Sequence, residues 1–169
     1  MSFLMSALAL MLQSAAPGDC VYEAVTPDVR ASIGDAIIAR RPRSAADIDA
    51  LTIAVDRCAR PERWSVDSAL HANGSAAMRF AADTLARQLG HPTWSHTALA
   101  VLRTRPLGQI RNLAKTGSGD AEFELVLTHM LHADPEIGDA LKGASKETLE
   151  KFILMVKLLA VAEVERNAI

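Results

Sequence analysis

The side chains that could do chemistry in this 169-residue chain are few, and its five histidines are the first place to look. His129 and His132 lie three apart, with Glu122 two turns before His129 and Asp134 just after. On one helix, an acid and two imidazoles would line up along a face. Metal sites in helical bundles use such projection, and neutral imidazole suits Zn²⁺ or copper. The Glu-x-x-His pairs of di-iron bundles and the His-Glu-x-x-His of zinc proteases are absent. The apolar side of this helix lies about 120° away, which places both histidines at a polar boundary. Metal ligation by His129, His132 and Glu122 is the sharper alternative to that plain reading.

A second cluster, His91-Pro92-Thr93-Trp94-Ser95-His96, gathers two imidazoles, an indole and two hydroxyls. A nucleophile needs a base within hydrogen-bond reach, held by a third group. Ser95 and His96 would point about 100° apart on a helix, and no Gly-x-Ser-x-Gly elbow exists. The expectation is that Thr93 or Ser95 caps a helix and Trp94 anchors it, so no catalytic residue is assigned. Gly117-Ser118-Gly119 lacks the lysine, the preceding strand and the glycine spacing of a phosphate loop, and reads as a linker.

Charge is unevenly distributed. No acid occurs from Thr84 to Gly119, where Arg87, Arg103, Arg105, Arg111 and Lys115 stand. Eight acids face only Lys142 and Lys146 from Asp120 to Glu150. The two stretches are expected to pack together and neutralise each other. The sharper alternative makes Arg103, Arg105, Arg111 and Lys115 a patch for an anionic membrane surface or an acidic protein. Nucleic acid is not expected, because the basic stretch has no interleaved aromatic beyond Trp94.

The elements that must position these groups are helical. Half of the chain is apolar but only 4% is aromatic, so alanine and aliphatic residues must build the core. No alternating run of β-branched residues reads as a strand. Helix starts recur at Thr26-Pro27, Ser44, Ser65, His91-Pro92, Asp120, Asp134-Pro135 and Ser145. The helix from Ser44 should turn Ile48, Leu51, Val55 and Cys58 inward. The long helix after Ser65 counts Leu70 among its apolar positions, and Asn73-Gly74-Ser75 is a candidate kink. Residues 152–162 are apolar on nearly every side and read as a central post wrapped by the other helices.

Phe3 to Leu12 is an apolar run followed by small residues, the pattern of a signal peptide over residues 1–18. Ser14-Ala15-Ala16 and Ala16-Pro17-Gly18 are both cleavage patterns, giving a cut after Ala16 or after Gly18. Cys20 and Cys58 form an even pair in an export context, so a disulfide is expected. The fold class expected is therefore all-α: a single domain, residues 19–169, built as a bundle of about six or seven helices with a buried C-terminal helix. The function expected is that of an exported, non-catalytic helical protein with no cofactor. It would bind a protein, an envelope component or a small apolar ligand in a groove between helices. The alternative is a small hydrolase or metal-dependent enzyme using a His-rich helix face.

Overall fold

A computed structural model describes residues 16–116 and 121–168. Residues 1–15 of the expected signal peptide, the expected Gly117–Gly119 linker and the expected cap Asp120 lie outside the described residues. Among those described there are nine α-helices and no strand: α1 (Pro17–Ala24), α2 (Pro27–Ile38), α3 (Ala45–Glu62), α4 (Val66–Gln88), α5 (Trp94–Arg103), α6 (Leu107–Lys115), α7 (Ala121–Ala133), α8 (Pro135–Leu141) and α9 (Lys146–Arg166). The all-α expectation holds, and the helix number exceeds the expected six or seven. The clearest addition is α1. Its Pro17-Gly18 start looks like a break at the end of a leader, yet Pro17 occupies the first helical turn, where its missing N–H costs nothing.

Serine caps organise the longer helices as their positions suggest. Ser44, Ser65 and Ser145 accept from the backbone N–H of Asp47, Ser68 and Thr148 at 3.1, 3.0 and 3.1 Å. Helix α4 runs unbroken through Asn73-Gly74-Ser75, against the expectation of a kink. Tertiary contacts flank this stretch. Gly74 lies against the Glu165 side chain of α9, and Ser75 is buried under Gly18 of α1.

Two apolar clusters make the core, and α4 belongs to both. One joins Val21, Ile33, Leu51, Cys58, Ala76 and Phe80 from α1 to α4. The other joins Leu85, Trp94, Leu102, Met130, Phe152 and Leu159 from α4 onward. The central position expected for the last helix is thus shared. Helix α4 packs on α1, α2, α3, α5 and α9, and α9 packs on α4, α5 and α6. Six alanines of α4 are buried, at 72, 76, 77, 81, 82 and 86, and such small side chains let neighbouring backbones approach closely. Helix α9 buries Phe152, Met155, Val156, Leu159 and Ala160, while Leu154 stays 40% exposed.

The expected disulfide is present: Cys20 of α1 is bonded to Cys58 of α3, with no free cysteine among the described residues. Its loop spans a sequence separation of 38, so breaking it should cost about 4 kcal/mol by the loop-entropy estimate. Under denaturing, non-reducing conditions the oxidised protein should label no thiol; two labelled thiols would show that the bridge is absent. Close approach gives a second expectation. A Cβ on Gly34 of α2 would stand 2.5 Å from the Phe80 carbonyl oxygen of α4, whereas Gly108 of α6 has open space around it. Gly34→Ala should therefore lose about 1–3 kcal/mol in urea unfolding. Gly108→Ala should gain about 0.5–1 kcal/mol.

Candidate functional site

The densest gathering of charge lies where α1, α4, α5 and α9 meet. Asp19 Oδ1 accepts from Arg79 Nη1 at 2.5 Å and from Arg103 Nη2 at 2.6 Å. Arg166 Nε stands 3.5 Å from its other oxygen. Arg103 Nε and Arg166 Nη1 also donate to the two oxygens of Glu163, whose side chain is 1% exposed, at 3.1 and 3.3 Å. The Arg79 guanidinium lies 3.7 Å from the centre of the Tyr22 ring, and Tyr22 donates its hydroxyl to Asp83 at 2.5 Å. Three guanidiniums thus share two carboxylates, with a third acid one step away through Tyr22.

The electrostatics follow from this crowding. Burial alone would raise the Asp19 carboxyl, but the Arg103 hydrogen bond and the charges of Arg103, Arg79 and Arg166 hold it below the usual carboxylate range. Burial pushes the Tyr22 phenol up, and Asp83 adds to the push. Burial lowers Arg79, with Asp19 opposing it. A carboxylate locked in its ionised form between guanidiniums is a poor proton acceptor. What it does well is join helices, and this one ties α1 to α4, α5 and α9.

Most of these residues escaped the sequence reading because their partners are remote: 60 positions separate Asp19 from Arg79, and 84 separate it from Arg103. The available signal was a lone charge within an apolar run. Arg79 sits in Ala-Ala-Met-Arg-Phe-Ala-Ala, and Glu163 in Ala-Val-Ala-Glu-Val.

The expected site residues are dispersed. His129 and His132 are exposed on α7, each with Nδ1 on a carbonyl of its own helix, Leu125 O at 2.8 Å and Thr128 O at 2.7 Å. Glu122 accepts from Asn112 Nδ2 at 3.3 Å. A hollow of about 440 Å³ between α5 and α7 takes in His129 but neither His132 nor Glu122. Among the described residues no three His, Cys, Asp or Glu side chains gather closely enough to hold a metal ion. His91 stacks on buried Trp94 with ring centres 4.0 Å apart, and Trp94 meets Phe152 edge-on at 5.7 Å, the anchoring role expected of it. Ser95 is buried, and its hydroxyl faces the Pro92 carbonyl at 3.5 Å.

In the basic stretch, Arg103 is drawn into the Asp19 cluster rather than paired with residues 120–150. Arg105 Nε is enclosed with no hydrogen-bond partner among the described residues. Arg111 and Lys115 remain exposed on α6.

A different feature comes from residues that the sequence placed inside. Ile48 is 49% exposed and Leu70 is 62% exposed, and both correct the expectation of buried positions. The cause is the way α3 is pinned. Near its start, buried Asp47 accepts from Ser32 of α2 at 2.8 Å and from its own cap Ser44 at 2.7 Å. Near its end, Cys58 is bonded to α1. Pinned at both points, α3 buries Leu51, Ala54 and Cys58, and its Ile48–Thr52–Val55 side turns toward the first half of α4. Between the two helices lies a groove of about 360 Å³, walled by Ile48, Leu51, Val55, Val66, Ala69 and Leu70. Val66 is 77% exposed at its rim. Arg43, Thr52, Asp56 and Asn73 supply its polar edge, and Asn73 Oδ1 is enclosed without a hydrogen-bond partner among the described residues.

For the charge cluster the expectation is specific. Asp19→Asn removes the anion facing Arg79, whose side chain is 10% exposed, and should cost about 3 kcal/mol. The folded-state pKa of Asp19 lies below its unfolded value of about 4, so its contribution is complete above that value. The contribution is lost as pH falls through the folded value. Melting temperatures across acid pH should show this decline in the parent and a flatter acid limb in the variant. No protein-family model matches this chain, and neither curated proteins nor solved structures show a significant match to it.

Proposed function

We propose that this chain is an exported, non-catalytic helical module that takes an apolar ligand in the groove between α3 and α4. The observation that carries the reading is where exposed apolar side chains concentrate. Ile48, Val66 and Leu70, all large and all about half exposed or more, meet at one concavity. Scattered exposed apolar residues are ordinary on a protein surface; a contiguous apolar concavity with a polar edge is what binding sites present. Its volume falls within the range of small-molecule pockets.

Export is supported by the Cys20–Cys58 bond, a linkage that persists in oxidising compartments, together with the apolar leader. Among the described residues no helix is long and apolar enough to cross a membrane. Of the two cleavage patterns, a cut after Ala16 keeps the first turn of α1, whereas one after Gly18 removes its Pro17 and Gly18, the glycine that lies on Ser75.

A neutral apolar dye such as Nile red tests the binding reading. The oxidised protein should enhance its emission saturably, and Leu70→Glu combined with Ile48→Glu should abolish the enhancement with an unchanged melting temperature. No enhancement with the parent protein, or equal enhancement with the variant, would sink the reading.

A further inference from the structure

The groove is polarised along its length, and the polarity selects an occupant. Helices α3 and α4 are joined by three residues, 63–65, so they run antiparallel. Val66 and Asp56 therefore mark the end near the turn, while Asn73, Ile48 and Arg43 mark the far end. At the turn end, Asp56 lies 3.5 Å from Arg60, so that charge is matched. At the far end, Arg43 lines the groove and follows Arg40 and Arg41 in the same short connection. All three are exposed, and none makes an ion pair among the described residues. The carboxylate nearest in sequence, Asp47, is buried and held by hydrogen bonds from Ser44 and Ser32; the Arg43 charge acts on it as a lesser influence, without an ion pair between them. Asn73 lines the same end, but its amide oxygen is shut off from solvent and offers an occupant no contact.

We infer that the groove binds a free single-chain carboxylate amphiphile of the fatty-acid class, its carboxylate at Arg43 and its chain running toward Val55 and Val66. The inference rests on the groove being a ligand site, and adds the ligand's charge, its single chain and its direction. Charge complementarity sets the head group: an unpaired guanidinium at one end of an apolar trough is matched by a carboxylate, which it can grip through two parallel hydrogen bonds. Size sets the chain number. From Ile48 to Asp56 the groove runs about 12 Å along α3, and a volume of about 360 Å³ has room for one acyl chain rather than two.

The experiment is isothermal titration of the oxidised full chain with dodecanoate and with dodecyltrimethylammonium, both below their micelle concentrations. Dodecanoate should bind one to one and about tenfold more tightly than its cationic counterpart. Arg43→Glu should erase that preference, and Leu70→Glu should abolish binding of both; both side chains are exposed, so folding is checked by an unchanged melting curve. Equal binding of the two amphiphiles would overturn the head-group assignment while leaving the groove as an apolar site. No binding of either, with no Nile red enhancement, would remove the site itself. A dimer that Leu70→Glu dissolves, or binding to phosphatidylglycerol vesicles without binding of dodecanoate, would show that a second copy or a membrane is the occupant and overturn the inference.

Discussion

The arrangement of the helices depends on one carboxylate. Asp19 is where the first described helix meets the fourth, fifth and ninth, and its Oδ1 accepts from two guanidiniums at once. Taking such charges out of water is costly, and their mutual attraction offsets the cost only when geometry is good and hydrogen bonds are complete. Here one side of the account is nearly closed, since both oxygens of Glu163 are also engaged. A cluster of this kind adds little net stability over an apolar equivalent. It does define which helix end lies where, because a misplaced neighbour would leave a buried charge unmatched.

That definition passes outward to the groove. Helix α1 is held on one side by Asp19 and on the other by the Cys20–Cys58 bond, so α3 takes its position from α1. Asp47 and Ser32 fix the rotation of α3 at its other end. With both points set, Ile48 cannot turn inward without pulling Asp47 out of its hydrogen bonds, and the apolar groove stays open. The polar contacts within the fold thus decide which apolar residues remain outside it.

Local signals in the chain disclosed much of this and left the rest unreadable for definite reasons. Caps at Ser44, Ser65 and Ser145 need only a few neighbours, and they read correctly. Export-type pairing of Cys20 with Cys58 followed from counting. The rotation of α3 did not follow from its apolar spacing. Ile48, Leu51, Val55 and Cys58 form a plausible inward stripe, and only the tie from Asp47 to Ser32 shows that the true stripe is shifted toward Ala54. Helix α1 was hidden by its position beside the apolar run Phe3–Leu12. The Asp19 cluster was hidden by distance, because nothing near Asp19 in the chain announces Arg79, Arg103 or Arg166. A groove between helices was expected but its place was in turn invisible, since its walls are residues whose composition argues for burial.

The two attachments of α1 also differ in when they can form. Cys20 can meet Cys58 once residue 58 has been made, and the cluster of Val21, Ile33, Leu51 and Phe80 needs the chain only as far as Phe80. Asp19 meets Arg79 and Arg103 only after Cys58 has been made, and Arg166 later still. During synthesis the early half can therefore oxidise and condense around its own apolar cluster while its charged end stays hydrated. Helix α9 then brings Glu163 and Arg166 to the cluster, so α1 can be tied to α3 before it is tied to α9.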